Sequence, residues 1–119
     1  MHEISVLVKA VELAEQTAED NGIEEISYIT LEVGELSGYL PVFFEKYFPI
    51  VVEHHPRLQK AELRMITPRG EGLCLNCSAI YNVMECQGVC PKCGSRSKKI
   101  LGGQQFLLKE IGYEETPSA

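Results

Sequence analysis

Between residues 3 and 20 apolar positions recur at helical spacing. Ile4, Leu7, Val8, Val11, Ala14 and Ala18 form one stripe, and Ser5, Lys9, Glu12, Gln16 and Glu19 take the opposite side. The spacing predicts an amphipathic helix over 3–20. Asn21-Gly22 is its stop, because glycine accepts the left-handed conformation found just past many helix ends. From Ile26 to Val33 the period changes to two. Ile29, Leu31 and Val33 share one face and Tyr28, Thr30 and Glu32 the other, which predicts a strand. Gly34-Glu35-Leu36-Ser37-Gly38 then breaks the chain. Pro41 suits the first turn of a second helix, where a backbone N–H has no intrahelical acceptor to lose. Phe43, Phe44, Tyr47, Phe48, Val51 and Val52 give that helix an aromatic-rich apolar side. Pro49 removes the bond back toward Glu45 and predicts a kink or an early end. His54 and His55 close the helix and read as solvated.

Residues 61–67 read as a second strand, with Leu63 and Met65 on one face. Residues 104–112 read as a third, with either Leu107 and Ile111 or Phe106 and Leu108 turned inward. The second strand runs into a cysteine-rich block and the third runs out of it. The expected fold class is therefore α+β: a small three-stranded sheet with two helices, sharing one core and carrying an inserted four-cysteine, zinc-ribbon-like domain. Gly/Pro punctuation at Pro68–Gly72 and at Gly102-Gly103 divides the chain into an outer domain, 1–69 plus 100–119, and an inserted one, 70–99.

A length of 119 residues fits one domain with a small satellite, and the net charge of −6 speaks against a general nucleic-acid binder. Apolar runs fall far short of the ~20 residues of a membrane span. Met1-His2-Glu3-Ile4-Ser5 lacks the basic flank and apolar stretch of a signal peptide, so a cytoplasmic location away from membranes is expected. The inserted block differs from the rest. It sets Lys92, Arg96, Lys98 and Lys99 against Glu71 and Glu85. A zinc-ribbon module bound to nucleic acid or to transcription machinery is thus the alternative function. No Ser/His/Asp set, open metal shell, phosphate loop or acid–base pair stands out, so no enzyme is expected.

Four of the five cysteines form Cys74-Leu75-Asn76-Cys77 and Cys90-Pro91-Lys92-Cys93. Two residues between thiolates let one tight knuckle present both sulfurs to one ion, and two knuckles together supply a tetrahedral four-sulfur shell. Such a shell leaves zinc no position for water, so Cys74, Cys77, Cys90 and Cys93 are expected to hold a structural Zn(II) that stabilises a block too small to fold alone. A disulfide framework, a catalytic redox motif and an iron site are the other readings. An odd cysteine count opposes the first, and paired motifs oppose the second. Cys86 is left over and reads as a core thiol.

The other candidate chemistry lies at the start of the chain. The Met1 amine, the His2 backbone nitrogen and the His2 imidazole can close fused chelate rings on one ion, and the Glu3 amide can complete a planar nitrogen set. That geometry suits Ni(II) or Cu(II) rather than Zn(II). A solvated terminal histidine is the alternative.

Taken in order, Met1-His2-Glu3-Ile4-Ser5 opening a helix, the Gly34–Gly38 turn with Pro41, the cysteine block running on to Gly94-Ser95, and a last strand ending in Lys109-Glu110-Ile111 resemble hydrogenase maturation nickel metallochaperones of the HypA/HybF type. The resemblance covers nearly the whole chain. It implies a nickel-binding α+β domain carrying a zinc domain, with Ni(II) on His2, the Met1 amine and the Glu3 backbone nearby. It also implies delivery of nickel as cargo, with a nickel-handling maturation GTPase, to the large subunit of a [NiFe]-hydrogenase. Some members also serve urease. Pro49 and the fifth thiol Cys86 depart from the family pattern. The chain would act as a monomer or a homodimer.

Overall fold

The computed structural model describes residues 2–114, His2 through its backbone alone. Helix α1 runs His2–Asp20 and buries Leu7, Val11, Ala14 and Ala18 completely. It stops where its sequence says it should. Gly22 takes φ +67°, the Gly22 N–H reaches the Glu19 carbonyl at 3.2 Å, and the Ile23 N–H reaches that of Ala18 at 2.8 Å. The Glu19 and Ala18 carbonyls are thereby satisfied past the helix end, and Ile23 is buried.

Strands β1 (Tyr28–Val33), β2 (Glu62–Ile66) and β6 (Phe106–Gly112) form one sheet in the order β2-β1-β6. Hydrogen bonds from Ser27 N–H to Gly112 and from Gly34 N–H to Gln105 make β6 antiparallel to β1. Those from Glu62 N–H to Ser27 and from Glu35 N–H to Pro68 make β2 parallel to it. Ile29, Leu31 and Val33 are wholly buried, as their alternation predicts, and Leu63 and Met65 are the half-buried side of β2. Thr30, on the side expected to be polar, is buried too, because its hydroxyl donates to Glu110 Oε1 at 3.3 Å on the neighbouring strand. In β6, Phe106 and Leu108 are half-buried and Leu107 is exposed, while Ile111 near its end is again half-buried. Gly112 is required there: any Cβ would strike the Tyr28 ring.

Helix α2 spans Pro41–Val51, with Pro41 in its first turn and Phe44 and Phe48 buried. It packs on α1. The helix ends two residues beyond Pro49, and the chain continues as two 3-10 turns, Val52–His54 and Pro56–Leu58. The second turn brings Arg57 to Glu15, Nη1 to Oε1 at 2.7 Å, with Arg57 Nε on the Ile23 carbonyl at 3.0 Å. His55 is carried along. It is 20% exposed, with Nδ1 3.7 Å from Glu15 Oε2, so of the two histidines expected in solvent only His54 is fully there.

The chain forms two compact units. The first takes residues up to Glu32, Leu40–Met65 and residues from Leu107. The second takes Val33–Tyr39 and Ile66–Phe106. The second holds its own antiparallel sheet of β3 (Glu71–Cys74), β4 (Ile80–Asn82) and β5 (Lys98–Gly102), in the order β4-β3-β5. The turn at 33–39 is stitched into this unit. Glu35 Oε1 accepts the Gly70 N–H at 2.7 Å and the Asn82 amide at 2.9 Å, and the Leu36 N–H bonds the Gly103 carbonyl at 2.6 Å. Asn82 in turn accepts the Glu85 N–H at 2.8 Å. The Gly70 N–H, and after it the Asn82 amide, hold the Glu35 carboxyl below the usual carboxylate range.

Candidate metal centre

The four predicted sulfurs come together. One Sγ from each of Cys74, Cys77, Cys90 and Cys93 lies within 4.8 Å of all the others. Cys74 and Cys93 are 3.5 Å apart and Cys77 and Cys90 3.6 Å. Sulfurs placed tetrahedrally around an ion at ~2.3 Å stand about 3.8 Å from one another, so the set fits a zinc-sized shell. The same separations are far beyond the ~2.05 Å of a disulfide, and all five cysteines are free thiols.

The two knuckles are built alike. The Cys74 N–H bonds the Ala79 carbonyl at 2.8 Å and the Ser78 N–H returns to Cys74 at 2.9 Å. The Cys90 N–H bonds Ser95 at 2.9 Å and the Gly94 N–H returns to Cys90 at 2.9 Å. The residue after each second cysteine takes positive φ, Ser78 at 64° and Gly94 at 78°. Amides then converge on the sulfurs at matching positions. Asn76 and Cys77 donate to Cys74 at 3.4 and 3.5 Å, and Lys92 and Cys93 donate to Cys90. Ala79 donates to Cys77 and Ser95 to Cys93. N–H groups pointed at sulfur favour the thiolate, the form that binds metal.

The surroundings of the Cys77, Cys90 and Cys93 thiols differ. The Asn76 side chain and the Ser95 N–H draw the Cys93 thiol down to about 6. Ala79 also pulls on Cys77, but burial and the other three sulfurs outweigh it and push that thiol up to about 12. Burial opposes ionisation of Cys90, yet the Cys93 and Lys92 amides and Cys77 lower it on balance. Cys74 and Cys90 are buried, Cys77 is half-buried and Cys93 is exposed. Beneath them lies Tyr81, whose phenol is raised by burial first and by the sulfurs second, with its hydroxyl on the Gly88 carbonyl at 3.4 Å. Cys86 packs into the same cluster with Ala79 and Val83.

Of the nickel candidates, Met1 and the His2 side chain lie outside the described residues. Glu3 sits half-buried in the first turn of α1. The sequence pattern did not single out Asn76, Ser78, Tyr81 or the Glu35–Asn82 clasp. Only the Asn in the first knuckle and the Ser one residue after it, facing Lys92 and Gly94 in the second, hinted at any of these.

Residues 1–113 match the family described as "Hydrogenase/urease nickel incorporation, metallochaperone, hypA". The chain belongs to the HypA family. A "Hydrogenase maturation factor HypA" of Dechloromonas aromatica (strain RCB) is 33% identical over 114 residues, covering 96% of this chain and 100% of its own length. The solution structure of the Ni metallochaperone HypA from Helicobacter pylori is similar at a TM-score of 0.64 and 26% identity, over 92% of this chain and 95% of that one. A second solution structure, of a HypA protein, gives 0.66 and 28% over 94% and 95%. HypA proteins are nickel metallochaperones of hydrogenase maturation and not enzymes, and this chain is one of them. Its four-cysteine cluster can hold a metal such as zinc. Among the described residues no helix is long and apolar enough to cross a membrane.

Proposed function

We propose that this HypA chain holds one structural Zn(II) on Cys74, Cys77, Cys90 and Cys93, and carries Ni(II) as cargo on His2, the Met1 amine and the Glu3 backbone. The observation behind the division of labour is the closed sulfur set. Four thiolates saturate a tetrahedral ion, fix the shape of the second unit and leave no exchangeable position. Cargo needs ligands that let go, and a terminal imidazole and amine meet that need better than a thiolate cage. Zinc supplies cross-linking of the two knuckles and no reaction chemistry. The nickel-binding unit is then the first, α+β unit, and the zinc-binding unit the second, which contains the cysteine block 70–99. In the cytoplasm the chain would pass nickel, with a maturation GTPase, to the large subunit of a [NiFe]-hydrogenase.

Calorimetric nickel titration of the untagged chain, of His2→Ala and of an N-terminally extended form tests this. The parent should bind one nickel. His2→Ala should abolish specific binding while leaving zinc content unchanged, and the extension should impair it nearly as much by removing the free amine. Undiminished binding by His2→Ala sinks the nickel site. Undiminished binding by the extended form alone removes the amine from it.

A further inference from the structure

The backbone donors of the two knuckles match, but their side chains do not. The Asn76 and Cys77 N–H groups serve Cys74 as those of Lys92 and Cys93 serve Cys90. Asn76 does one thing more. Its side-chain amide leaves its own knuckle and donates to Cys93 of the other. Cys74 and Cys93 are the pair 3.5 Å apart. A single residue therefore holds both ends of one edge of the sulfur set, Cys74 through its backbone N–H at 3.4 Å and Cys93 through its side chain. Lys92 stands at the matching place in the second knuckle. On the opposite edge, where Cys77 and Cys90 lie 3.6 Å apart, Cys77 meets the Ala79 amide and the other three sulfurs instead.

Exposure says why that edge matters. Cys74 and Cys90 are buried and Cys77 is half-buried, while Cys93 is exposed. A competing ligand or an electrophile has to reach a sulfur before it can open a closed shell, and access decides which sulfur it reaches. Cys93 is therefore the vulnerable ligand of the four. A hydrogen bond donated to a thiolate is charge-assisted. It fixes the sulfur in place and occupies a lone pair that an attacker needs. We propose that Asn76 is a positioning residue of the zinc shell: its side-chain amide, donated across the knuckles, keeps the exposed Cys93 sulfur on the ion and slows both its loss and its attack. The proposal rests on the zinc reading above and adds to it the ligand at which the shell opens.

Two rates measured on the zinc-loaded full chain test it: transfer of zinc to a chelating dye, and alkylation by limiting iodoacetamide with the first adduct mapped by mass spectrometry. The variants are Asn76→Ala, Asn76→Asp and, as a control, Leu75→Ala, which changes an exposed neighbour in the same knuckle. Asn76→Asp keeps the shape of the side chain, removes its donor and sets a negative charge against the thiolate. Asn76→Ala should release zinc about tenfold faster than the parent, and Asn76→Asp at least as fast as Asn76→Ala. The first adduct should fall on Cys93 and form about tenfold faster in both. Cys86, a half-buried thiol outside the shell, is the internal reference, and its rate should not move. Leu75→Ala should leave both rates as they are. Parent rates in the Asn76 variants overturn the proposal. So does an acceleration shared by Cys86 and the other three ligands, which marks a loosened fold and not a lost hydrogen bond. A parent chain without zinc overturns the zinc reading and this proposal together, whereas one zinc per chain with unaltered variants overturns this proposal alone.

Discussion

Gly94 and Ser78 stand at the same place in their knuckles, and both take positive φ. Space is not the constraint at Gly94, where an added Cβ meets nothing within 4 Å. The cost of a side chain there is backbone strain alone, about 1–2 kcal/mol. Gly94→Ala should therefore destabilise the metal-loaded protein by roughly that much, and Ser78→Gly should be neutral or stabilising by up to about 1 kcal/mol. Denaturant unfolding of both variants checks the pair. Gly34 is a glycine of the other kind. A Cβ there would collide with the Gly103 carbonyl, so backbone would have to move. Glu35 beside it makes a pH-dependent contribution. Its folded-state value is depressed by the Gly70 N–H first and Asn82 second. Its contribution is thus fully present above the ordinary value of 4.5 and is lost as pH falls through the lower folded value. Thermal melts from neutral to acid pH should show Glu35→Gln less stable than the parent at neutrality, with the gap narrowing on acidification. A constant gap would mean the charge is irrelevant. Gly94 is legible in the sequence, because a glycine just after a knuckle marks a positive φ, but the other roles are not. Glu35 meets Gly70 and Asn82 only through the fold, and Ser78 carries no signal that it must adopt a glycine's conformation.

At the scale of elements, long periodic segments were readable and short ones were not. The α1 stripe, its Asn21-Gly22 stop and the buried side of β1 follow from spacing, because each repeats several times against one core. The inward side of β6 does not, since apolar residues occupy both of its faces. Strands β3, β4 and β5 were invisible: three to five residues shared with metal knuckles leave no room for a period. Pro49 was legible and acts as its chemistry requires, with α2 ending at Val51. Pro49→Ala restores a donor for the Glu45 carbonyl and removes a ring clash. Pro49 is exposed and close to the helix end, and the unfolded chain gains freedom. The net gain should therefore be only about 1 kcal/mol, well under the ~3 kcal/mol of a mid-helix proline. A higher melting temperature with increased helical dichroism would agree. A fall would mean that the turn into Val52 depends on the proline.

At the scale of the molecule, each unit has its own apolar interior. The first is built on Leu7, Val11, Ile29, Leu31 and Phe44. The second has little beyond Cys74, Cys90 and Tyr81. Stripping the metal with a chelator should therefore act on one unit only. Amide exchange should accelerate across 71–102 while the far-ultraviolet helical signal, which comes from α1 and α2, is largely kept. Loss of both together would show that the first unit depends on the ion. The zinc knuckles were legible from their spacing because a metal shell is a local rule. The membership of Val33–Tyr39 in the second unit was not, because only tertiary contact assigns it. That membership bears on how such proteins can be recombined. A chimera that transplants 66–106 alone from a relative would set foreign residues at 70 and 82 against the resident Glu35, and a foreign residue at 103 against Gly34 and Leu36. The heritable cassette is discontinuous. A graft should carry its own turn from 33–39 with it, and matched and mismatched grafts should differ in melting temperature even when their cysteines are identical.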